Sequence, residues 1–141
     1  MKRIYQAIIK DHLSKLRQMV FIMGPRQVGK TTVSLAAADE WPRHFYFNWD
    51  NPAEKLLFLE GPEAIAVQAG LKDLSKEKPI LVFDEIHKFG KWKNFLKGFF
   101  DTYERGVKIV VTGSARLNVY KKGGMFIFTG SLGRILTHYE T

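Results

Sequence analysis

Cysteine is absent from the 141-residue chain. That excludes disulfides, thiolate zinc sites and cysteine nucleophiles, and it fits a reducing cytosol. No uninterrupted apolar run approaches the ~18 residues that a membrane helix needs, and Met1 to Lys10 lacks the apolar core and cleavage site of a signal peptide. Internal repeats, low-complexity tracts and linkers are missing too. A soluble, cytoplasmic protein without a membrane association is therefore expected. The length predicts one domain, residues 1–141, and leaves no room for a second core. Apolar residues make up 45% and charged residues 26%, which excludes the weakly hydrophobic, highly charged composition of a disordered chain.

Acids are scarce relative to bases, 14 against 22, for a net charge of +8. Residues 1 to 30 carry seven Lys/Arg against one acid, residues 31 to 85 five against ten, and residues 86 to 141 ten against three. Both ends are basic. Such a surface attracts nucleic acid or another polyanion, and the same excess on a small domain also serves as solubilising charge.

Apolar residues Tyr5, Ile8, Ile9, Leu13 and Leu16 recur at helical spacing and predict a leading helix over residues 4–17. Four short apolar runs then predict strands: Met19 to Met23, Phe45 to Trp49, Pro79 to Phe83 and Val107 to Thr112. Between the first two lies a helix from Lys30, closed by Pro42. Asp50-Asn51-Pro52 opens another, in which Leu56, Leu57 and Leu59 are apolar. Trp92, Phe95, Leu96, Phe99, Phe100 and Tyr103 form the clearest amphipathic stripe, ended by Gly106. This stripe is read as core, because aromatics that stack on bases need an exposed face. The alternation predicts an α/β fold, a three-layer sandwich with a mostly parallel sheet over a core of residues 18–124. The tail, residues 125–141, is weakly patterned. In such sheets, ligands bind beyond the carboxyl ends of the strands.

Gly24-Pro25-Arg26-Gln27-Val28-Gly29-Lys30-Thr31 matches G-x-x-x-x-G-K-[ST] in full. Glycines at these positions let successive backbone N–H groups curl around one anion, while the next helix aims its positive end at it. Lys30 then reaches the β- and γ-phosphates and the Thr31 hydroxyl ligates Mg²⁺, with Thr32 beside it. By average composition the pattern arises by chance on the order of once in two hundred chains of this length, and here it also falls between a strand and a helix, as it must.

The run Ile80-Leu-Val-Phe-Asp84-Glu85 delivers two acids at a strand end. Asp84 suits Mg²⁺ held through its water shell. Glu85 suits the orientation or deprotonation of an attacking water. Thr112 and Ser114, at the tip of the fourth strand, are candidates for a bond to that water or to a γ-phosphate oxygen, or for a plain helix cap. Arg116 reads equally as a phosphate partner or as a solvated side chain. His87 is a lesser candidate for a γ-phosphate relay. Asp50 either approaches Mg²⁺ or starts a helix. Lys88, Lys91, Lys93 and Lys97 form the solvated side of the aromatic helix and the best polyanion patch.

In this order and spacing, GPRQVGKTT, YFNWDNP, ILVFDEIHKFGKWKNFLKGFFD and IVVTGSARLNVYKKGG resemble the AAA-type P-loop ATPase domain of a large prokaryotic family of ATP-binding proteins. The likeness runs from about Arg3 to Gly124. It implies an ASCE-type sheet in which the P-loop strand neighbours the sensor strand. It further implies Lys30 and Thr31 as Walker A residues, Asp84 and Glu85 as Walker B, and Thr112 or Ser114 as sensor 1. Members of the family continue through a Gly-Arg-bearing strand into a C-terminal domain, whereas this chain reads MFIFTGSLGRILTHYET. Gly133-Arg134 is the candidate remnant of that strand, and the expectation is a module lacking its lid or effector region. AAA-type enzymes often complete the site with an arginine from the lid or from a neighbouring subunit, which makes a homo-oligomer a further expectation and weakens hydrolysis in this module.

The leading expectation is thus an Mg²⁺-dependent, ATP-binding domain with slow hydrolysis. The alternative is a nucleotide-gated nucleic-acid-binding module that uses the two basic ends. A helicase would need a second core domain. A GTPase would need an Asn-Lys-x-Asp stretch to read guanine, and none is present.

Overall fold

In a computed structural model of the chain the described residues are Ala7, Asp11, 19–23, 30–71, 78–103, 105–113, 126–131 and 134–140; for Met23, Lys30, Val33 and residues 126–131 and 134–140 only the backbone is described. Of the expected leading helix, Ala7 and Asp11 are described, and both are helical. The rest of that helix lies outside the described residues.

The strands are β1 (Met19–Met23), β2 (His44–Asn48), β3 (Ile80–Asp84), β4 (Lys108–Gly113), β5 (Phe126–Ser131) and β6 (Arg134–Glu140). The helices are α1 (Lys30–Ala38), α2 (Pro52–Glu60), α3 (Pro62–Gln68) and α4 (Trp92–Tyr103), and a short 3-10 turn spans Ile86–Lys88. The sheet runs β2-β3-β4-β1-β5-β6. Its first four strands are mutually parallel, as expected for an α/β P-loop fold, and β1 lies beside β4 as the family resemblance implies. Helices cover both faces.

The expected strands begin and end within one residue of the observed ones. Three departures are larger. The helix expected to run to Pro42 ends at Ala38 and passes into a turn in which Trp41 N–H donates to Ala38 O at 2.9 Å. Proline disfavours helical geometry at the residue before it, so the chain leaves the helix ahead of Pro42. Within α2, Leu56 and Leu59 are 60% and 58% exposed, and it is Phe58 that is buried, with Leu57 packed at the core margin. The weakly patterned tail forms a hairpin: β5 pairs antiparallel with β1, Phe21 opposite Phe128, and β6 pairs antiparallel with β5.

Period-2 alternation sorts the parallel strands onto two faces. Met19, Phe21, Phe47, Leu81, Phe83, Ile109 and Val111 meet α2, α3 and α4 through Phe58, Ile65, Ala66, Phe95, Leu96 and Phe99. The opposite parity, Val20, Ile22, Ile80, Val82 and Val110, meets Ala37 and Ala38 of α1, with Trp41 and Tyr46 at the margin. On the aromatic face, Phe83 stands in edge contact with Phe58, Phe95 and Phe99 at centroid distances of 5.6, 5.9 and 5.5 Å. Edge-to-face pairs of this kind add about 0.5–1.5 kcal/mol each beyond simple burial. The amphipathic stripe of α4 is therefore core, as its spacing predicts.

Among the described residues no helix is long and apolar enough to cross a membrane.

Candidate nucleotide site

Parallel strands bring their carboxyl ends to one rim, and the register fixes which residues meet there. Met23 lies opposite Gly113, Ile22 opposite Thr112, and Asn48 opposite Asp84. Residue parity matters as much as the rim. Asp84 shares its parity with Ile80 and Val82, Thr112 with Val110, and Tyr46 lies on the same side of β2. All three therefore stand on the face that α1 covers, and α1 contributes Thr31 from its first turn.

These four residues form one hydrogen-bonded cluster around the Asp84 carboxylate, which is 2% exposed. Thr31 Oγ1 donates to Asp84 Oδ2 at 3.0 Å, across 53 residues of sequence. Tyr46 Oη donates to the same oxygen. Thr112 Oγ1 donates to Asp84 Oδ1 and accepts the backbone N–H of Glu85 at 3.3 Å. Burial, followed by the bond to Asp84, pushes the Tyr46 phenol well above its usual pKa. It stays protonated through the physiological range and acts toward the carboxylate only as a donor. Among the described residues, the hydrogen-bond partners of the Asp84 carboxylate are the hydroxyls of Thr31, Tyr46 and Thr112.

Glu85 turns the chain out of β3. Its backbone is left-handed, φ 59° and ψ 25°, and it is the one non-glycine residue with positive φ among those described. A non-glycine residue there costs about 1–2 kcal/mol, and such outliers concentrate at functional sites. The Glu85 side chain, 20% exposed, points along the 3-10 turn: Oε2 lies 3.5 Å from Lys88 Nζ and 3.6 Å from His87 Nε2. Oε2 is shielded from solvent and, among the described residues, no group lies in hydrogen-bonding geometry to it.

Asp50 does not cap the following helix. Asn51 does, accepting from the N–H groups of Ala53 and Glu54 at 3.0 and 3.2 Å, with Pro52 in the first helical turn. That cap contributes about 1 kcal/mol. Asp50 instead accepts from Lys88 Nζ at 2.9 Å on both carboxylate oxygens. The Asp50 carboxylate, aided by Glu85, holds the Lys88 ammonium above its ordinary pKa. Lys88 thereby ties the tip of β2 to the turn after β3 and does not belong to the solvated side of α4. Of the other lysines read as a polyanion patch, Lys97 pairs with Asp101 at 3.3 Å and Lys93 lies 5.5 Å above the Trp92 ring.

Several sequence-derived candidates fall outside the described residues: Gly24, Pro25, Arg26, Gln27, Val28 and Gly29, together with Ser114, Arg116 and Gly133. Lys30 opens α1 at the end of that glycine-bearing segment, Thr32 follows as an exposed residue of the same helix, and Arg134 opens β6. Sequence reasoning missed Tyr46. Its signal was available: within the strand His44–Asn48, alternation puts the polar-tipped Tyr46 on the face opposite Phe45 and Phe47, and the parallel register with β3 puts that face beside Asp84.

The glycine-bearing segment that links a buried strand to a helix, and the carboxylate meeting that helix from a distant strand, are the arrangement of a P-loop domain. A family model described as AAA domain matches residues 16–127, and the chain belongs to that family. AAA domains bind nucleotide. No curated protein matches the chain.

Proposed function

We propose that the protein binds ATP with Mg²⁺ at the rim of the parallel strands and hydrolyses it slowly. The observation that carries this reading is the 3.0 Å bond from Thr31 Oγ1 to Asp84 Oδ2. It joins the end of the glycine-bearing motif to the one buried carboxylate among the described residues. Residues 1–141 are read as one such domain.

Backbone N–H groups of Gly24 to Gly29 and the Lys30 ammonium would hold the phosphates, with Thr32 at the first turn of α1. Thr31 and, through water, Asp84 would hold Mg²⁺. The donor set fits. Among the described residues there is no group of three His, Cys, Asp or Glu that could cage a metal, and Mg²⁺ prefers one or two protein oxygens completed by waters and phosphates. When bound it would neutralise charge on the phosphate oxygens. Glu85 would orient or deprotonate water, from a backbone turned beyond the strand and tied by its N–H to Thr112. Thr112 would also contribute by holding Asp84 Oδ1. Ser114 is the second candidate for a polar contact at the β4 tip.

The direct test is ATP binding by isothermal titration to the wild-type protein and to Lys30→Ala in the presence of Mg²⁺. The variant is expected to bind at least about a hundredfold more weakly, since a lost charge-assisted contact to phosphate in a sheltered site is worth on the order of 3 kcal/mol. Equal affinity of the two proteins would refute phosphate binding at this motif.

A further inference from the structure

We infer that Tyr46 is a positioning residue for the metal-bound nucleotide: its hydroxyl, presented by β2, fixes Asp84 Oδ2 beside Thr31 Oγ1, so that the two oxygens are set for a divalent cation before one arrives. The inference rests on the Mg²⁺–ATP reading above and gives a role to Tyr46, which opens the YFNWDNP segment and is not among the phosphate- or metal-binding candidates read from the sequence.

Two observations carry it. The first is where the donors come from. Tyr46 and Thr112 belong to β2 and β4, the two strands that flank β3, and they take opposite oxygens of the Asp84 carboxylate. The carboxylate is thus gripped from both sides by the sheet itself, independently of α1. Its free rotation about the Cβ–Cγ bond is removed by rigid strands, which locate a side chain better than loops do. The second is the shared acceptor. Thr31 and Tyr46 donate to one oxygen, Oδ2, so the Tyr46 bond fixes the plane of the carboxylate with one of its oxygens facing α1. Outer partners that orient metal-binding carboxylates in this way typically change metal affinity 10- to 100-fold when removed.

Tyr46 is partly buried at the margin of the α1-side core. The long diagonal reach from Tyr46, whose register partner is Val82 and not Asp84, serves the carboxylate.

The test is Tyr46→Phe, which keeps the ring against the α1-side core and removes one oxygen. ATP affinity is measured by isothermal titration over a Mg²⁺ series and in EDTA, for the wild type, Tyr46→Phe, Asp84→Asn and the double variant, each checked for a folded melting transition. The expected result is a roughly tenfold rise in the half-saturating Mg²⁺ concentration for Tyr46→Phe, with affinity in EDTA within about twofold of wild type and no further effect of Tyr46→Phe in the Asp84→Asn background. A Mg²⁺ dependence equal to wild type would overturn the inference. So would a proportionate loss of affinity with and without Mg²⁺, the signature of a merely structural role. If the wild type itself bound ATP with no Mg²⁺ dependence, the metal reading beneath the inference would fail instead, and the two failures are told apart by the wild-type titration alone.

Discussion

Glu85→Gln is expected to bind ATP as the wild-type protein does and to release phosphate about a hundred- to ten-thousandfold more slowly, the range associated with loss of a general base. The substitution keeps side-chain volume and the left-handed backbone at φ 59°, along with the N–H bond to Thr112. It removes only the negative charge. The fold should tolerate this. Lys88, whose side chain is 31% exposed, keeps its bidentate contact with Asp50, and loss of its longer pairing with Glu85 costs less than about 1 kcal/mol. Single-turnover phosphate release separates the two effects. Equal rates for Glu85→Gln and wild type would remove Glu85 from the chemistry while leaving the nucleotide site intact.

Phe83→Ala should have the largest effect on stability. Phe83 is fully buried one residue before Asp84, in ring contact with Phe47, Phe58, Phe95 and Phe99. Those partners come from β2, α2 and α4, so the cavity left by truncation would open at the junction of three elements. A Phe→Ala change in such a core costs about 3–5 kcal/mol, a large share of the roughly 5–15 kcal/mol that stabilises a domain. For a chain of this size the melting temperature should fall by roughly 10–20 °C. Thermal unfolding followed by circular dichroism measures it, and a loss below about 1 kcal/mol would contradict the packing described.

Much of this architecture could be read before any coordinates. The runs MVFIM, PILVF and VKIVVT are apolar on both strand faces, which only a strand buried between two helical layers requires. The 3.6-residue spacing from Trp92 to Tyr103 could only be a helix with one buried side. Thr31 and Asp84 could be singled out because each stands at a fixed place in a recognisable pattern, and the structure brings the two together. What could not be read depends on partners far away in sequence. The tail has a weak pattern of its own, and it forms strands where β1 offers an open edge, with Met19 opposite Gly130 and Met23 opposite Phe126. Leu56 and Leu59 look like core residues in a list of apolar side chains, but the helix turns Phe58 inward and leaves them exposed. The reassignment of Asp50 from cap to ion pair follows from Lys88 lying across the rim, a contact no local pattern encodes. Tyr46 is intermediate: its face follows from alternation, but its bond to Asp84 follows only from the strand order β2-β3-β4.

The central claim is that Asp84, gathered with Thr31 from a remote part of the chain, makes nucleotide binding depend on a divalent cation. It is tested most directly by titrating ATP into wild-type protein and Asp84→Asn, each in Mg²⁺ and in EDTA. Asparagine keeps the shape and much of the hydrogen bonding to Thr31, Tyr46 and Thr112 while removing the charge. The account predicts that Mg²⁺ tightens ATP binding to the wild type and that Asp84→Asn abolishes the gain while leaving affinity in EDTA within about twofold. Undiminished Mg²⁺ dependence in Asp84→Asn would contradict it.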